Sequence, residues 1–240
     1  MGGARTRAAS VEHVTLALVV GRVATGDADV IVTLFTEKLG RVSALARNAK
    51  RSQRRFGGAL EPLHTVRVQL SERVGSELMH LRDAKLETAR TGLLTDLRLM
   101  DAAGRALGYL RRAAPVHVPE PSVWQHTVSL LDLLESRSAP SPNAALAAYG
   151  MALLEIIGWG LELAACVGCG TACPAGKTAL IDPARGGIVC RACGGGSHRI
   201  SAALRAALCH ARDGQLEAIS DPDAGRSIAL VEETLSAHAG

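Results

Sequence analysis

At 240 residues, 48% of them hydrophobic and 21% charged, the chain has enough apolar content for one large core or two small ones, which excludes general disorder. Its net charge of +4 is uneven: residues 1–80 hold 12 Lys and Arg against 7 Asp and Glu, whereas residues 81–240 hold 15 against 16. A basic front of this kind suggests a polyanion partner for the first part of the chain.

Phe35, Phe56, Tyr109, Trp124, Tyr149 and Trp159 are the only aromatic residues, so the core must be aliphatic and a nucleic-acid surface has few rings for stacking bases. The longest apolar run, Ala144–Leu154, stops at Glu155 and is too short to span a bilayer. Met1–Ser10 lacks the apolar region of a signal peptide, and its loose match to a myristoylation pattern has no other membrane feature beside it. Six cysteines, four of them in metal spacing, point to a reducing compartment, and a cytoplasmic protein is expected.

Val11–Gly21 alternates, with Val14, Leu16, Leu18 and Val20 assigned to one face of a half-buried strand. Thr25–Asp29 is a turn, and Val30–Thr36, Arg41–Ala46, Thr65–Leu70 and Leu78–Arg82 read as four further strands. Five short strands in the first 82 residues predict a small closed barrel, of which the oligonucleotide-binding (OB) type is the commonest, although another small barrel or meander fits the pattern too. Between Lys38 and Leu60 the sequence places seven basic residues (Lys38, Arg41, Arg47, Lys50, Arg51, Arg54 and Arg55) and no acid. A charge run is often only a solvated face. Here it falls on a barrel loop, where binding groups usually lie, and its five arginines have planar forks suited to phosphate.

From residue 83 the period becomes helical, with Leu97, Met100, Leu107 and Leu110 on one stripe. Pro115–Pro121 breaks the chain, and Ser122 with Gln125 reads as a capping box opening a helix to about Glu135. Ser141 caps and Pro142 starts the next helix, Asn143–Trp159, which is apolar nearly all round and so belongs at the centre of a bundle. Ser201–Arg212 and Asp223–Ala237 read as the closing helices.

The segment 165–198 interrupts this helical series with Cys166-Val-Gly-Cys169 and Cys190-Arg-Ala-Cys193, twenty residues apart. Two such pairs have the spacing of a structural zinc site, in which Cys166, Cys169, Cys190 and Cys193 close a tetrahedron around one Zn²⁺. Cys173 and His198 are alternative ligands outside the paired turns. A closed four-sulfur site leaves no open coordination position for catalysis. No His-x-Glu of a zinc deaminase occurs, and Gly170…Gly176-Lys177-Thr178 has five residues where a phosphate-binding loop needs four. His117 and His126 read as surface or core residues, and no enzyme is expected.

The basic loop ending in Arg54-Arg55-Phe56-Gly57-Gly58-Ala59-Leu60-Glu61-Pro62, followed by a helical domain with an inserted four-cysteine finger, resembles the bacterial recombination mediator RecO family over nearly the whole chain. The resemblance implies an α+β protein: an OB-fold barrel over residues 1–82, then a helical domain over 83–240 carrying the finger. It also implies binding of single- and double-stranded DNA, annealing of complementary strands, and work with RecR to place RecA on SSB-coated DNA near the nucleoid. The seven basic residues fall where the family has its basic barrel face, and the cysteine quartet where its zinc-bearing members have ligands. The helical domain would receive the acidic tail of SSB, with Arg98, Arg105, Arg111 and Arg112 as candidates for the rim; Arg98, Arg105 and Arg112 share one face by their spacing of seven. The chain departs from many relatives in having only Phe35 and Phe56 as rings in the barrel. The competing expectation is a zinc-ribbon adaptor that binds proteins and not DNA.

Overall fold

The computed structural model describes residues 11–73, 75–139 and 141–238; Met1–Ser10, with the myristoylation pattern, lies outside them. The chain forms two compact units, one through Ala89 together with Pro115–Pro121, the other Arg90–Ala114 with the remainder from Ser122.

In the first unit β1 (Glu12–Thr25), β2 (Asp29–Thr36), β3 (Gly40–Ala46), β4 (Thr65–Arg73) and β5 (Ser76–Thr88) close a barrel in the order β1-β2-β3-β5-β4. β1 pairs antiparallel with both β2 and β4, and β3 meets β5 in parallel, which is the OB-type closure. β5 runs to Thr88, past the expected end at Arg82, and β1 passes beyond Gly21 to Thr25. Gly21 marks a register shift against β2 rather than a strand end: a bulge lets a long strand bend around the barrel.

The inward face of β1 also differs from expectation. Ala17 and Val19 join Val32, Leu34, Val42, Ala44, Val66, Val68 and Leu81 in the barrel interior. Val14 is 57% exposed, while Leu18 and Val20 are buried outside that interior cluster. With apolar residues at both odd and even positions, alternation alone could not choose the face. Pro115–Pro121, expected only as a break, lies along β3. Arg41 bridges Val116 in parallel, and the His117 amide donates to the Arg41 carbonyl at 3.0 Å. Gly40, at φ 67°, permits this approach, because a side chain there would run into the Val118 backbone.

In the second unit a helix α2 (Leu97–Ala113) precedes α3 (Pro121–Glu135) and α4 (Pro142–Ile156), and two helices close the chain, α5 (Ala202–Arg212) and α6 (Asp221–His238); the label α1 belongs to the short turn Gln53–Phe56 of the barrel unit. Ser141 caps α4 by accepting the Ala144 amide, and every residue of α4 from Ala144 to Leu154 is buried. At Gly150 a side chain would collide with Val231 of α6, so glycine lets the two helices pack closely there. α2 turns inward only half of the expected stripe, Leu107 and Leu110. Leu99, Ala102, Ala103, Ala106, Leu107, Tyr109 and Leu110 are buried, whereas Leu97 is 77% and Met100 41% exposed.

The insertion between α4 and α5 is a three-stranded ribbon of β6 (Ala179–Asp182), β7 (Gly187–Ile188) and β8 (His198–Ile200), in the order β7-β6-β8. β6 pairs antiparallel with both β7 and β8. The third, β8, takes up His198, whose Nε2 lies 2.9 Å from Glu233 of α6.

Candidate nucleic-acid interface and metal centre

The basic run is contiguous in sequence but divided in space by β3. Lys38 lies in the β2–β3 turn and Arg41 near the start of β3, while Arg47–Arg55 follow its far end. Six residue steps of strand separate Arg41 from Arg47, roughly 20 Å. At the far end Lys50, Arg51 and Arg54 are exposed around α1, a single helical turn where the sequence suggested only loop. Local bonds shape this knuckle. The Asn48 amide donates to Asp29 Oδ1 at 2.8 Å, and the Lys50 amide to the Ala28 carbonyl at 3.1 Å. Arg55 donates to the Arg47 carbonyl at 2.7 Å and to Ser52 Oγ at 3.1 Å, with its guanidinium 4.9 Å from the centre of the Phe56 ring. Its fork is thus partly used in holding the loop.

Among the described residues Lys38, Arg47, Lys50, Arg51, Arg54 and Arg55 form no ion pair with a carboxylate. Their charge is therefore available to an external anion. Phe56 is 3% exposed and Phe35 is fully buried, so neither ring of the barrel offers a stacking face.

Sequence reading missed one cation of this region. Arg22, in β1 beyond the bulge, shares a cleft with Lys50 and pairs with Glu61 at 2.9 Å. Ending the strand at Gly21 left Arg22 unassigned between that strand and the turn at Thr25–Asp29; the strongly apolar Val19-Val20 before it and Val23 after it were the available signal.

The metal centre assembles from the two knuckles. Cys166, Cys169, Cys190 and Cys193 bring their four sulfurs within 4.8 Å of one another. Four sulfurs held tetrahedrally at about 2.3 Å from a Zn²⁺ ion lie roughly 3.8 Å apart, and Cys169 Sγ is 3.7 Å from Cys190 Sγ. The donor set and its size fit zinc. Cys173 and His198 are outside the cluster. Gly170 and Gly194 close the two knuckles with φ of 72° and 102°.

The thiols are prepared unequally. The Cys190 amide donates to Cys166 Sγ at 3.3 Å and lowers the Cys166 thiol to about 6, while the Thr171 hydroxyl beside Cys169 lowers that thiol too. Cys193, crowded by the other sulfurs and by Cys169 most of all, is pushed up to about 12. Four sulfurs this close cannot all be thiolates without a cation among them.

The arginines of α2 are not equivalent. Arg98 is exposed and pairs with Asp96, the residue that caps the helix, at 3.2 Å. Arg105 donates to Glu232 of α6 at 2.6 Å, and Arg112 to Ser236 of α6 at 3.0 Å. Two of the three thus fasten one helix to another.

A closed OB-type barrel, followed by a helical unit with a four-cysteine knuckle pair, defines an α+β class of protein. Known families agree with this. The family model described as Recombination protein O N terminal matches residues 11–90, and that of Recombination protein O C terminal matches residues 94–240. A DNA repair protein RecO of Anaeromyxobacter sp. (strain K) is 36% identical over 209 residues, covering 84% of this chain and 81% of that protein. RecO proteins of Pelobacter propionicus (32% over 218 residues, 90% and 87% covered) and Geobacter sulfurreducens (38% over 169 residues, 70% and 67% covered) are similar as well. The chain belongs to the RecO family of DNA repair proteins.

Proposed function

We propose that this protein is a non-enzymatic recombination mediator that binds single- and double-stranded DNA without reading sequence and anneals complementary strands. The observation that carries this reading is the set of unpaired cations on the barrel, above all Arg47, Lys50, Arg51 and Arg54 gathered at one end of β3. Positive charge on a loop positions phosphates, whereas base readout needs side chains held rigidly in a groove. Bringing two polyanionic strands together needs their mutual repulsion neutralised, which a cationic surface supplies.

The fit of the cysteine quartet to zinc supports one structural Zn²⁺ per chain, which stiffens the finger and takes no part in chemistry. Membership of the family supports partnership with RecR and with SSB in loading RecA. For the SSB tail, α2 offers Arg98 and Arg112 as exposed cations, a charge that suits a segment ending in carboxylates. No helix among the described residues is long and apolar enough to cross a membrane.

An annealing assay on SSB-coated complementary strands tests the reading. The wild type should accelerate annealing and an Arg47/Arg51/Arg54→Ala variant should lose most of the effect. A wild type that neither anneals nor retains DNA at low salt would leave the protein-binding adaptor as the better description.

A further inference from the structure

Arg22 stands in surroundings suited to an anion. It lines a cleft of about 330 Å³ together with Val30 and Lys50. A smaller hollow of about 70 Å³, lined again by Arg22, Val30 and Lys50, continues the cleft toward Phe56 and Glu61. Two cations therefore face one concavity over an apolar floor. The single acid in its lining, Glu61, meets Arg22 with Oε1 2.9 Å from Nη1.

We propose that this cleft seats one backbone phosphate of a bound DNA strand, and that the Glu61 carboxylate holds the seat until the phosphate displaces it. The proposal rests on the reading of the barrel as a DNA-binding surface. Arg22 and Glu61 are 46% and 44% exposed, so water already competes with their pairing and the carboxylate exchanges at small cost. A phosphate offers Arg22 the bidentate partner its fork matches best. Lys50 is aimed by the bond from its Nζ to the Gly26 carbonyl at 3.2 Å, which uses one of three ammonium hydrogens and leaves two for the same phosphate. Pro62 restrains the Glu61 backbone to extended conformations, so the carboxylate is tethered close by after it is displaced. An internal acid at the seat makes entry an exchange of anions. Stray small anions then gain little, while a DNA strand, anchored by neighbouring cations as well, still displaces the acid.

The test is a double-mutant cycle on oligonucleotide affinity across a salt series, using the full chain. Glu61→Gln should tighten single-strand binding by about twofold to fivefold, the range expected for removing a half-exposed competing ion pair. It should also steepen the slope of log K against log salt by about 0.7–0.9, because Arg22 then neutralises a phosphate outright. Misfolding cannot imitate a gain. Arg22→Gln should weaken binding, and in its presence Glu61→Gln should no longer help. The proposal is overturned if Glu61→Gln leaves affinity unchanged, or if its gain persists in full beside Arg22→Gln, since the acid would then act only through the general field. Loss of binding in the Arg47/Arg51/Arg54→Ala variant with no response to Arg22 or Glu61 would sink this seat and leave the DNA-binding reading intact. A wild type that binds no DNA would sink both.

Discussion

Arg105 Nη2 lies 2.6 Å from Glu232 Oε1, and the same oxygen accepts the Tyr109 hydroxyl at 3.0 Å. One carboxylate of α6 thus gathers two donors from α2. The ion pair raises the Arg105 pKa although burial opposes it, and burial is the larger single influence on both Arg105 and Tyr109. Arg105 is therefore a fastener between helices rather than a free cation. Arg105→Ala should lower stability by about 1 kcal/mol, toward the upper end for a part-exposed pair because the bond is charged at both ends. A cycle with Glu232→Ala, followed by urea unfolding, should show coupling of the two losses; strict additivity would mean that the contact is idle.

The spacing of seven between Arg98, Arg105 and Arg112 correctly put them on one face of a helix, but spacing cannot say what packs against that face. Long side chains at its edge were claimed by Glu232 and Ser236, whose position depends on α6, far away in sequence. The inward face of β1 was hidden for a related reason: both of its sides are covered around Leu18 and Val19. Local chemistry was easier to read. Ser141-Pro142 marks the start of α4 through the cap's own hydroxyl, and the cysteine quartet through turn geometry, and both lie where their sequences indicate. The basic run was legible as composition. Its division by β3 was not, because seven strand residues carry the chain to the other end of the barrel.

For the α2 face, an acidic peptide ending in an apolar residue and a free carboxylate should bind with an affinity that falls severalfold in Arg98→Glu and Arg112→Glu proteins. Isothermal titration with the two variants and with Leu97→Ser checks it. Three unchanged affinities would exclude this face as the tail's seat.

The finger is tied to the helices by Arg205, 8% exposed, which donates to the Cys173 carbonyl at 3.0 Å and to the Pro174 carbonyl at 2.6 Å. Arg205→Met keeps the bulk but strands these acceptors, so it should cost about 1–3 kcal/mol. The first knuckle should loosen as well, giving faster zinc loss to a chelator than in the wild type. Equal release rates would show that the knuckle holds itself.

Elemental analysis should find one zinc per chain, and Cys166→Ser or Cys193→Ser should remove it at a cost of several kcal/mol, because binding energy at such a site is folding energy. Chelation of the wild type should expose the cysteines of the quartet to a thiol reagent. Preparations free of zinc whose Cys166 and Cys190 titrate from the outset would contradict the metal centre.

The last expectation concerns how DNA is held. With both barrel phenylalanines buried, stacking contributes nothing there, and affinity must come mainly from counterion release. Arg47, Lys50, Arg51 and Arg54 form the near cluster, while Arg55 spends part of its fork on the Arg47 carbonyl and Ser52. Four phosphates neutralised give a slope of log K against log salt of about −2.8 to −3.6. Replacing Arg47, Arg51 and Arg54 by Ala should flatten that slope by about 2 to 3 and weaken single and double strands alike, since no base edge is being read. Lys38 and Arg41 sit at the other end of β3, roughly 20 Å away. Their replacement should matter only for oligonucleotides long enough to run along the strand, so a series of lengths separates the two groups. Equilibrium binding of both DNA forms across salt, with wild type beside each variant, makes the measurement. A slope untouched by the triple replacement would mean that this loop is a solvated surface and that any DNA lies elsewhere on the protein.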